Sequence, residues 1–256
     1  MALTPEQIHR FHEDGFLIYG PILTPEELEA LRERIDALAS GEGAEAEKVG
    51  IRLEAEALRG GLQNVVRRDK VWQIMGATQH DPIIAQYASS DKVLAIVAEL
   101  LGTEDIKLFS DQTLMKPAYH GSPVSWHQDS GYWTQITPPA LVTCWTALDA
   151  ATEANGCVRM VPGSHKLGVL PHERKEDGFL HAQGIDVTQA VPVVLPAGGC
   201  SFHHSCTVHG SGPNNTPYRR RGLAITYMRA DSKWVGDPAS KPHFRLLRGQ
   251  EHEGCV

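Results

Sequence analysis

The first hundred residues show apolar positions at helical spacing. Thr4-Pro5-Glu6-Gln7 and Thr24-Pro25-Glu26-Glu27 each place a capping Thr, a Pro at the first helical position and Gln or Glu at the capping-box position. Two further helices are predicted over 82–87 and 92–101, the second ending before Gly102. The helix that begins at Thr24-Pro25 carries one apolar stripe, which predicts that it packs against a core. The stripe consists of Leu28, Leu31, Ile35 and Leu38.

From about residue 106 the pattern changes to short β-rich runs separated by Gly, Pro and Asn. The runs are IKLFSDQTLMK, ALVTCWTALD, CVRMVPG, AVPVVLPAGG, CSFHHSCTVHG and RRGLAITYMRA. Asn155-Gly156 between two of them predicts a hairpin. Many short strands without intervening helices favour an antiparallel sandwich or jelly roll.

The pattern therefore predicts a mainly β protein with flanking helices in one domain over 1–256. Its parts are a mostly helical N-terminal part (1–104), a jelly-roll core (105–230) and an irregular C-terminal tail over the core surface (231–256). We find no repeat, low-complexity tract or linker-like stretch. The sequence does not predict an oligomeric state.

Composition and charge narrow the class of protein. A hydrophobic share of 41% with 21% charged residues is ordinary for a globular chain of 256 residues. The net charge of −7 argues against a nucleic-acid partner, and neither a polybasic cluster nor a membrane-length apolar run indicates a membrane. Five scattered Cys without a Cys-x-x-Cys pair and an N-terminus without an apolar signal core favour a reduced, cytoplasmic protein.

Two His-x-Asp triplets are candidates for metal chemistry. The chain has 13 His and 13 Asp, so about 0.7 such triplets are expected by chance. His12 and Asp14 fall at a helix end, where residues two apart point in different directions. His127 and Asp129 lie among β-type runs, where residues i and i+2 project to one side and can converge on one ion.

A metal held by two residues needs further ligands, and His209 in the run before Gly212-Pro213 is the best candidate. His203 and His204 on the same run are alternatives. Two His and one carboxylate on one face form the facial triad of non-haem iron oxygenases, which leaves coordination positions open.

Arg220 follows His209 by eleven residues. On a strand it shares its face with Gly222 and Ala224, whose small side chains leave room for an inward guanidinium that clamps a carboxylate. Arg219 and Arg221 point the other way and are expected at a basic surface.

WHQD at 126–129, the run from Trp145 to Pro162-Gly163-Ser164-His165, and His209-Gly210-Ser211 followed by Arg220 resemble the phytanoyl-CoA dioxygenase (PhyH) family. The resemblance spans most of the chain and is densest over 105–230. It implies a double-stranded β-helix (jelly-roll, cupin-like) core and an oxygenase that uses Fe(II), 2-oxoglutarate and O₂. The implied product set is a hydroxylated small organic substrate, succinate and CO₂.

Carried over residue by residue, the resemblance implies roles at eight positions. His127, Asp129 and His209 match the iron ligands. Five others match cosubstrate contacts: Arg220 at the distal carboxylate, Ser211 beside it, Trp145 as an aromatic wall, and Gln112 and Lys70 as further contacts. Because Asp129 keeps the carboxylate that halogenating relatives lack, hydroxylation is favoured over halogenation.

Several expectations about the surroundings follow. Gln128 faces away from the metal, and His165 anchors its loop. Five flanking residues are candidates for the substrate pocket: Tyr119, His120, Trp126, Tyr132 and Trp133. A basic mouth for an acyl-CoA would draw on Arg67, Arg68, Lys70, Arg219 and Arg221, although solvated surface charge is the simpler interpretation.

Three other functions stay open on the residues alone. A cupin-type metalloenzyme that does not use 2-oxoglutarate keeps the triad but gives no reason for Arg220. A Zn²⁺ hydrolase also suits the ligand set but lacks an evident general base. A metal-free jelly-roll binding module requires the three ligands to be a coincidence.

Overall fold

The computed structural model describes residues 3–256. The helices in this range are α1 (Pro5–Asp14), α2 (Pro25–Ser40), α3 (Ala55–Leu58), α4 (Pro82–Ala88) and α5 (Asp91–Leu101). The strands are β1 (Phe16–Pro21), β2 (Gly50–Leu53), β3 (Val71–Met75), β4 (Ile106–Lys116), β5 (Val124–His127), β6 (Ile136–Thr137), β7 (Val142–Ala147), β8 (Val158–Met160), β9 (His172–Arg174), β10 (Leu180–Ala182), β11 (Val191–Pro192), β12 (Gly199–His204), β13 (His209–Ser211), β14 (Arg220–Arg229), β15 (Lys233–Trp234) and β16 (Leu246–Arg248).

The local helix signals are confirmed. Thr4 and Thr24 each accept a hydrogen bond from the backbone three residues on and complete a capping box. Gly15 and Gly102 end α1 and α5 in the left-handed conformation that glycine adopts without steric cost. The apolar stripe of α2 packs into the core as predicted, since Ile35 and Leu38 are fully buried.

Antiparallel sheets form the jelly-roll core. The larger sheet has the strand order β1-β12-β7-β14-β4-β3-β2, with β16 pairing the edge of β4. The smaller sheet has the order β11-β8-β13-β5. Apolar residues pack between the larger sheet and the helices, and a second cluster that includes Trp145, Met160 and Leu195 lies around β7 and β8. The predicted mainly β fold with N-terminal helices is therefore confirmed.

The N-terminal part contains more β structure than the pattern predicts. It contributes β1, β2 and β3 to the larger sheet, where β1 pairs β12 and β3 pairs β4. These runs are short and lie between strong helix signals, which explains why the sequence pattern did not separate them. The two edge strands of the larger sheet, β1 and β2, thus come from outside residues 105–230.

The Asn155-Gly156 hairpin prediction is wrong. Thr152 caps a short 3₁₀ turn over Glu153–Asn155, and Gly156 adopts a left-handed conformation that ends it. The strands on either side, β7 and β8, belong to different sheets. The turn therefore carries the chain from the larger sheet to the smaller one.

Arg221 is buried, contrary to the surface position expected for it. Its guanidinium donates to both carboxylate oxygens of Asp149 at 2.8 Å and to Asp36 at 2.9 Å. Arg219 on the same strand face also pairs with Asp36. This ion-pair network ties β14 to α2 on the helix-covered side of the sheet.

Among residues 3–256, no helix is both long enough and apolar enough to cross a membrane.

Candidate metal centre and binding cavity

A cavity of about 940 Å³ opens between the two sheets. Residues from β3, β4, β7, β13 and β14 line it, together with the segment after β5. Its volume lies in the range of small-molecule sites, about 300–1,000 Å³. The cavity contains the candidate metal ligands on one wall and two buried cations, Lys116 and Arg220, which define what we call its inner end.

His127, Asp129 and His209 come together on the smaller-sheet side of the cavity. His127 ends β5 and lies directly opposite His209 of β13 in the antiparallel register. The strand stops at His127, but Gln128 keeps extended backbone angles, so Asp129 projects to the same side. One ligand atom from each of the three residues lies within 4.8 Å of the others.

Hydrogen bonds fix which imidazole nitrogens face the centre. His127 Nδ1 lies 2.7 Å from the Ser125 carbonyl oxygen, and His209 Nδ1 lies 2.9 Å from that of Thr207. A carbonyl only accepts, so each Nδ1 carries the proton and each Nε2 presents a lone pair. The two Nε2 atoms lie 3.6 and 3.8 Å from Asp129 Oδ1.

The electrostatics of the centre favour a bound cation. Burial alone would raise the pKa of the Asp129 carboxyl, but His209, His127 and His203 around it hold that pKa well below its usual range. Burial, with repulsion from His127, lowers the pKa of His209 to about 3. The carboxylate is therefore ionised and the His209 imidazole neutral, which are the protonation states that bind metal.

His203, which the sequence left open as an alternative third metal ligand, lies behind the Asp129 carboxylate instead. Its Nε2 lies 3.3 Å from Asp129 Oδ2, the oxygen turned away from the other two imidazoles. Thr143 Oγ1 approaches the same oxygen at 3.4 Å. The pair thus orients the carboxylate, leaving Oδ1 for the centre. His204 points away and its Nδ1 accepts from the Cys206 N–H at 3.0 Å.

Gln128 faces away from the centre, as predicted, and ties it to the neighbouring segment. Its amide nitrogen donates to the carbonyls of Gly168 and Cys206 at 2.8 and 2.6 Å. Its Oε1 accepts from the Leu170 N–H at 2.7 Å. Its own N–H donates to His172 Nε2 at 3.1 Å. The residue between the two ligands is thereby locked in place.

The inner end of the cavity presents a guanidinium without a carboxylate. Arg220 is 2% exposed, and its Nη atoms donate to the carbonyls of Leu114 and Gly156 at 3.3 and 3.2 Å. Within residues 3–256 its Nε has no hydrogen-bond partner and no carboxylate forms an ion pair with it. Burial lowers its pKa to about 10, so it stays charged at neutral pH. A buried, unpaired cation facing a cavity favours the binding of an anion there.

Trp145 forms the wall beside Arg220. The Arg220 Cζ lies 5.4 Å from the centre of the indole ring, within the range of a cation–π contact. Gly222 makes this possible, because a Cβ on Gly222 would lie only 2.1 Å from Trp145 Cζ2. The indole Nε1 finds no hydrogen-bond partner in the described chain and is buried.

Most of the sequence-predicted site residues line this one cavity: His127, Asp129, His209, Gln112, Trp145, Ser211 and Arg220. Lys70 does not; it ends a 3₁₀ turn just before β3, outside the lining. Of the five flanking candidates, Tyr132 and Trp133 line the cavity. Tyr119 is 64% exposed, and the His120 side chain contacts Glu56.

Three further expectations concern residues around the cavity. Trp126 packs beside Gly210 outside the cavity lining. His165 anchors its loop as expected, with Nε2 3.1 Å from the His12 carbonyl oxygen. The residues considered for a basic mouth, for which solvated surface charge was the simpler interpretation, do not line the cavity. The arginines and lysine of the lining are Arg52, Lys116, Arg220 and Arg245.

Two lining residues were missed by sequence reasoning. Gln73 of β3 is 6% exposed and donates to Gln112 Oε1 at 2.5 Å, while its own Oε1 has no partner among the described residues. Lys116 of β4 lies directly opposite Arg220. The run VWQIM contained the signal for β3, but the position of Lys116 opposite Arg220 depends on register, which a single sequence does not give.

The chain is similar to known proteins over most of its length. A family model described as phytanoyl-CoA dioxygenase (PhyH) matches residues 11–222. A probable alpha-ketoglutarate-dependent hypophosphite dioxygenase of Stutzerimonas stutzeri is 28% identical over 235 residues, covering 89% of this chain and 79% of its own.

Two solved structures extend the likeness to the fold. The apo form of the non-heme monooxygenase ThoJ superposes with a TM-score of 0.77 at 28% identity, over 98% of this chain and 86% of its own. EvdO2 of Micromonospora carbonacea var. aurantiaca, solved with 2-oxoglutarate, gives 0.71 at 25% identity, over 93% and 95%.

Proposed function

This chain belongs to the phytanoyl-CoA dioxygenase (PhyH) family, and from that premise we propose that His127, Asp129 and His209 hold the iron of an Fe(II)- and 2-oxoglutarate-dependent dioxygenase. The enzyme class is shared with its relatives, among them the hypophosphite dioxygenase and ectoine dioxygenase. The observation that carries the site assignment is the meeting of the three ligand atoms in a cavity whose inner end presents the unpaired Arg220.

The residues of the cavity fit both Fe(II) and 2-oxoglutarate. Two imidazole Nε2 atoms and one ionised carboxylate oxygen on one face are the donor set of the facial triad. The buried guanidinium of Arg220 without a carboxylate, with Ser211 and Gln112 in the same lining, fits the far carboxylate of 2-oxoglutarate.

Bound together, iron and 2-oxoglutarate supply the oxidising chemistry, in which O₂ is consumed, the substrate is hydroxylated, and succinate and CO₂ are released. The chain supplies geometry and a dry environment. His203 and Thr143 orient the Asp129 carboxylate, and Gln128 fixes the backbone between the ligands. Arg220, held against Trp145, would bind the far carboxylate of the cosubstrate at the end of the cavity.

The substrate is a small organic molecule with an apolar part. Beyond the metal wall the cavity is lined by large apolar side chains: Trp72, Met75, Phe109, Trp133 and Phe179. Phe109 packs on Trp133 with ring centres 4.8 Å apart, and Trp72 packs on Phe179 at 5.1 Å. Such surfaces bind by burying apolar area.

The test is anaerobic titration of the metal-free protein with Fe(II) and 2-oxoglutarate. We expect the visible charge-transfer band of a chelated complex, lost in His127→Ala and weakened in Arg220→Met. His12→Ala, in the other His-x-Asp triplet, and Arg219→Met, on the opposite strand face, are the matched controls and keep the band. Absence of the band in the wild-type protein, together with no succinate formation, would rule out the proposal.

A further inference from the structure

Lys116 is a buried lysine that the proposed function leaves without a task. It is 2% exposed and lines the cavity at the last position of β4. In the antiparallel register it lies directly opposite Arg220, so both side chains are on the same face of the sheet. The cavity therefore ends in two cations placed side by side.

A shared turn shows how close the two cations are. The Gly156 carbonyl accepts the hydrogen bond of Arg220 Nη2 at 3.2 Å. A Cβ on Gly156 would lie 3.0 Å from Lys116 Cδ. The two side chains thus flank the same residue, Gly156.

The Lys116 ammonium has spare donors. It carries three N–H groups, and the Ser122 carbonyl oxygen is the one acceptor it contacts across residues 3–256. Glu54 lies behind it and attracts it, but that carboxylate accepts from the Ser122 N–H and hydroxyl and forms no direct ion pair with Lys116. A buried ammonium with two free donors, beside a second cation and lining the cavity, is suited to accept an anion from outside the chain.

We propose that Lys116 is a second direct ligand of the far carboxylate of 2-oxoglutarate, shared with Arg220. The inference rests on the proposed function and adds to it a residue that selects for a dicarboxylate. A carboxylate has about four acceptor positions, enough for a guanidinium and an ammonium together.

Proton uptake on binding is the consequence that distinguishes this role from a structural one. Burial, and next the repulsion from Arg220, lower the pKa of Lys116 to about 7, opposed by Glu54. A bound carboxylate favours the ammonium and raises that pKa again. Above pH 7, binding must therefore add a proton to Lys116, whereas below pH 7 the proton is already present.

Two charged groups face Lys116 from the elements packed around it. Arg220 faces it from β14 and Glu54 from the segment before α3. A third titratable group, Cys157, lies near Arg220, and burial raises the pKa of its thiol. The variant Cys157→Ser removes that thiol and is expected to keep the pH dependence of binding.

The experiment measures the Kd of 2-oxoglutarate for the Fe(II)-loaded protein without O₂, from pH 6.5 to 8.5. The wild-type Kd is expected to be level below pH 7 and to rise by up to about tenfold per pH unit above it. Calorimetry at pH 8 in buffers of different ionisation enthalpy is expected to show the uptake of close to one proton. Lys116→Met is expected to bind about 10- to 100-fold more weakly at pH 6.5, with no uptake.

Controls separate charge from packing. Lys116→Arg keeps a permanent cation and is expected to bind without proton uptake. Lys107→Met removes another buried lysine of β4 that lies outside the cavity and is expected to behave as wild type. The probe 2-oxopentanoate, which lacks the far carboxylate, is expected to bind wild type and Lys116→Met equally.

Two failures are distinguishable. If Arg220→Met weakens 2-oxoglutarate binding but Lys116→Met leaves Kd and proton uptake unchanged, the role of Lys116 is refuted and the proposed function stands. If neither variant changes the binding of 2-oxoglutarate, the assignment of the cosubstrate to this end of the cavity is refuted as well.

Discussion

Replacing Gly222 by Ala tests whether Trp145 sets the shape of the cosubstrate end. A Cβ at position 222 would lie 2.1 Å from Trp145 Cζ2 and 2.6 Å from Cε2. Ordinary contact begins near 3.4 Å, so the indole must shift by about 1.3 Å unless the strands separate. Behind the ring the space is filled by the cluster that includes Met160 and Leu195, so the shift is toward the cavity and Arg220.

The magnitude follows from the packing. Overfilling a core costs about 1–3 kcal/mol, equivalent to a fall in Tm of roughly 2–12 °C for a chain of this size. A misplacement of about 1 Å beside a bound ligand can cost on the order of 100-fold in rate, so we expect at least a tenfold rise in the Kd or KM for 2-oxoglutarate. Differential scanning calorimetry and cosubstrate titration measure the two effects separately.

Two variants make the Gly222 prediction specific. Gly212→Ala adds the same methyl group where no atom lies within 4 Å of the new Cβ, and it is expected to change neither Tm nor Kd. The double variant with Trp145→Phe removes the clashing ring atoms and is expected to recover part of the lost stability, which appears as a coupling energy. If Gly222→Ala behaves like Gly212→Ala, the close packing of Trp145 on β14 is not what shapes this wall.

Two further predictions concern the surroundings of the centre. Gln128→Leu leaves the carbonyls of Gly168 and Cys206 and the Leu170 N–H without partners, so we expect a loss of about 2–4 kcal/mol in urea unfolding and faster hydrogen exchange at Leu170; unchanged exchange there would contradict the locking role. Burial, with repulsion from His165, lowers the pKa of His204 to about 4 in the folded protein. The unfolded imidazole takes up its proton earlier, near pH 6.5. The contribution of His204 to the free energy of unfolding therefore decreases by up to about 1.4 kcal/mol per pH unit as the pH falls from 6.5 toward 4. His204→Asn keeps an acceptor for the Cys206 N–H and is expected to show the smaller slope; equal slopes in the two proteins would refute this.

Local signals account for what could be predicted. The capping boxes of α1 and α2 depend on four consecutive residues each, and the structure contains both. The grouping of His127 with Asp129 depends only on one extended residue between them. For His209 and Arg220, spacing and family resemblance supplied the rest, and the structure places both in the same cavity.

The predictions that failed depended on which strands are neighbours. Asn155-Gly156 has the local chemistry of a hairpin turn, but β7 and β8 lie in different sheets, because each has its partners elsewhere in the chain. Arg221 was expected at a surface, but α2 covers that face of β14 and brings Asp36 to it. Local pattern does not report either contact, since both partners are distant in sequence.

The helix ends, the β character of the core and the grouping of His127 with Asp129 could be predicted from sequence, because each depends on a few neighbouring positions. The folded chain was needed to learn that Lys70 lies outside the cavity, that His203 supports Asp129 from behind and that Lys116 stands beside Arg220. These facts follow from strand register and from the packing of one sheet on another. A shift of one residue in register would turn Lys116 to the opposite face of the sheet, and no short stretch of sequence specifies that register.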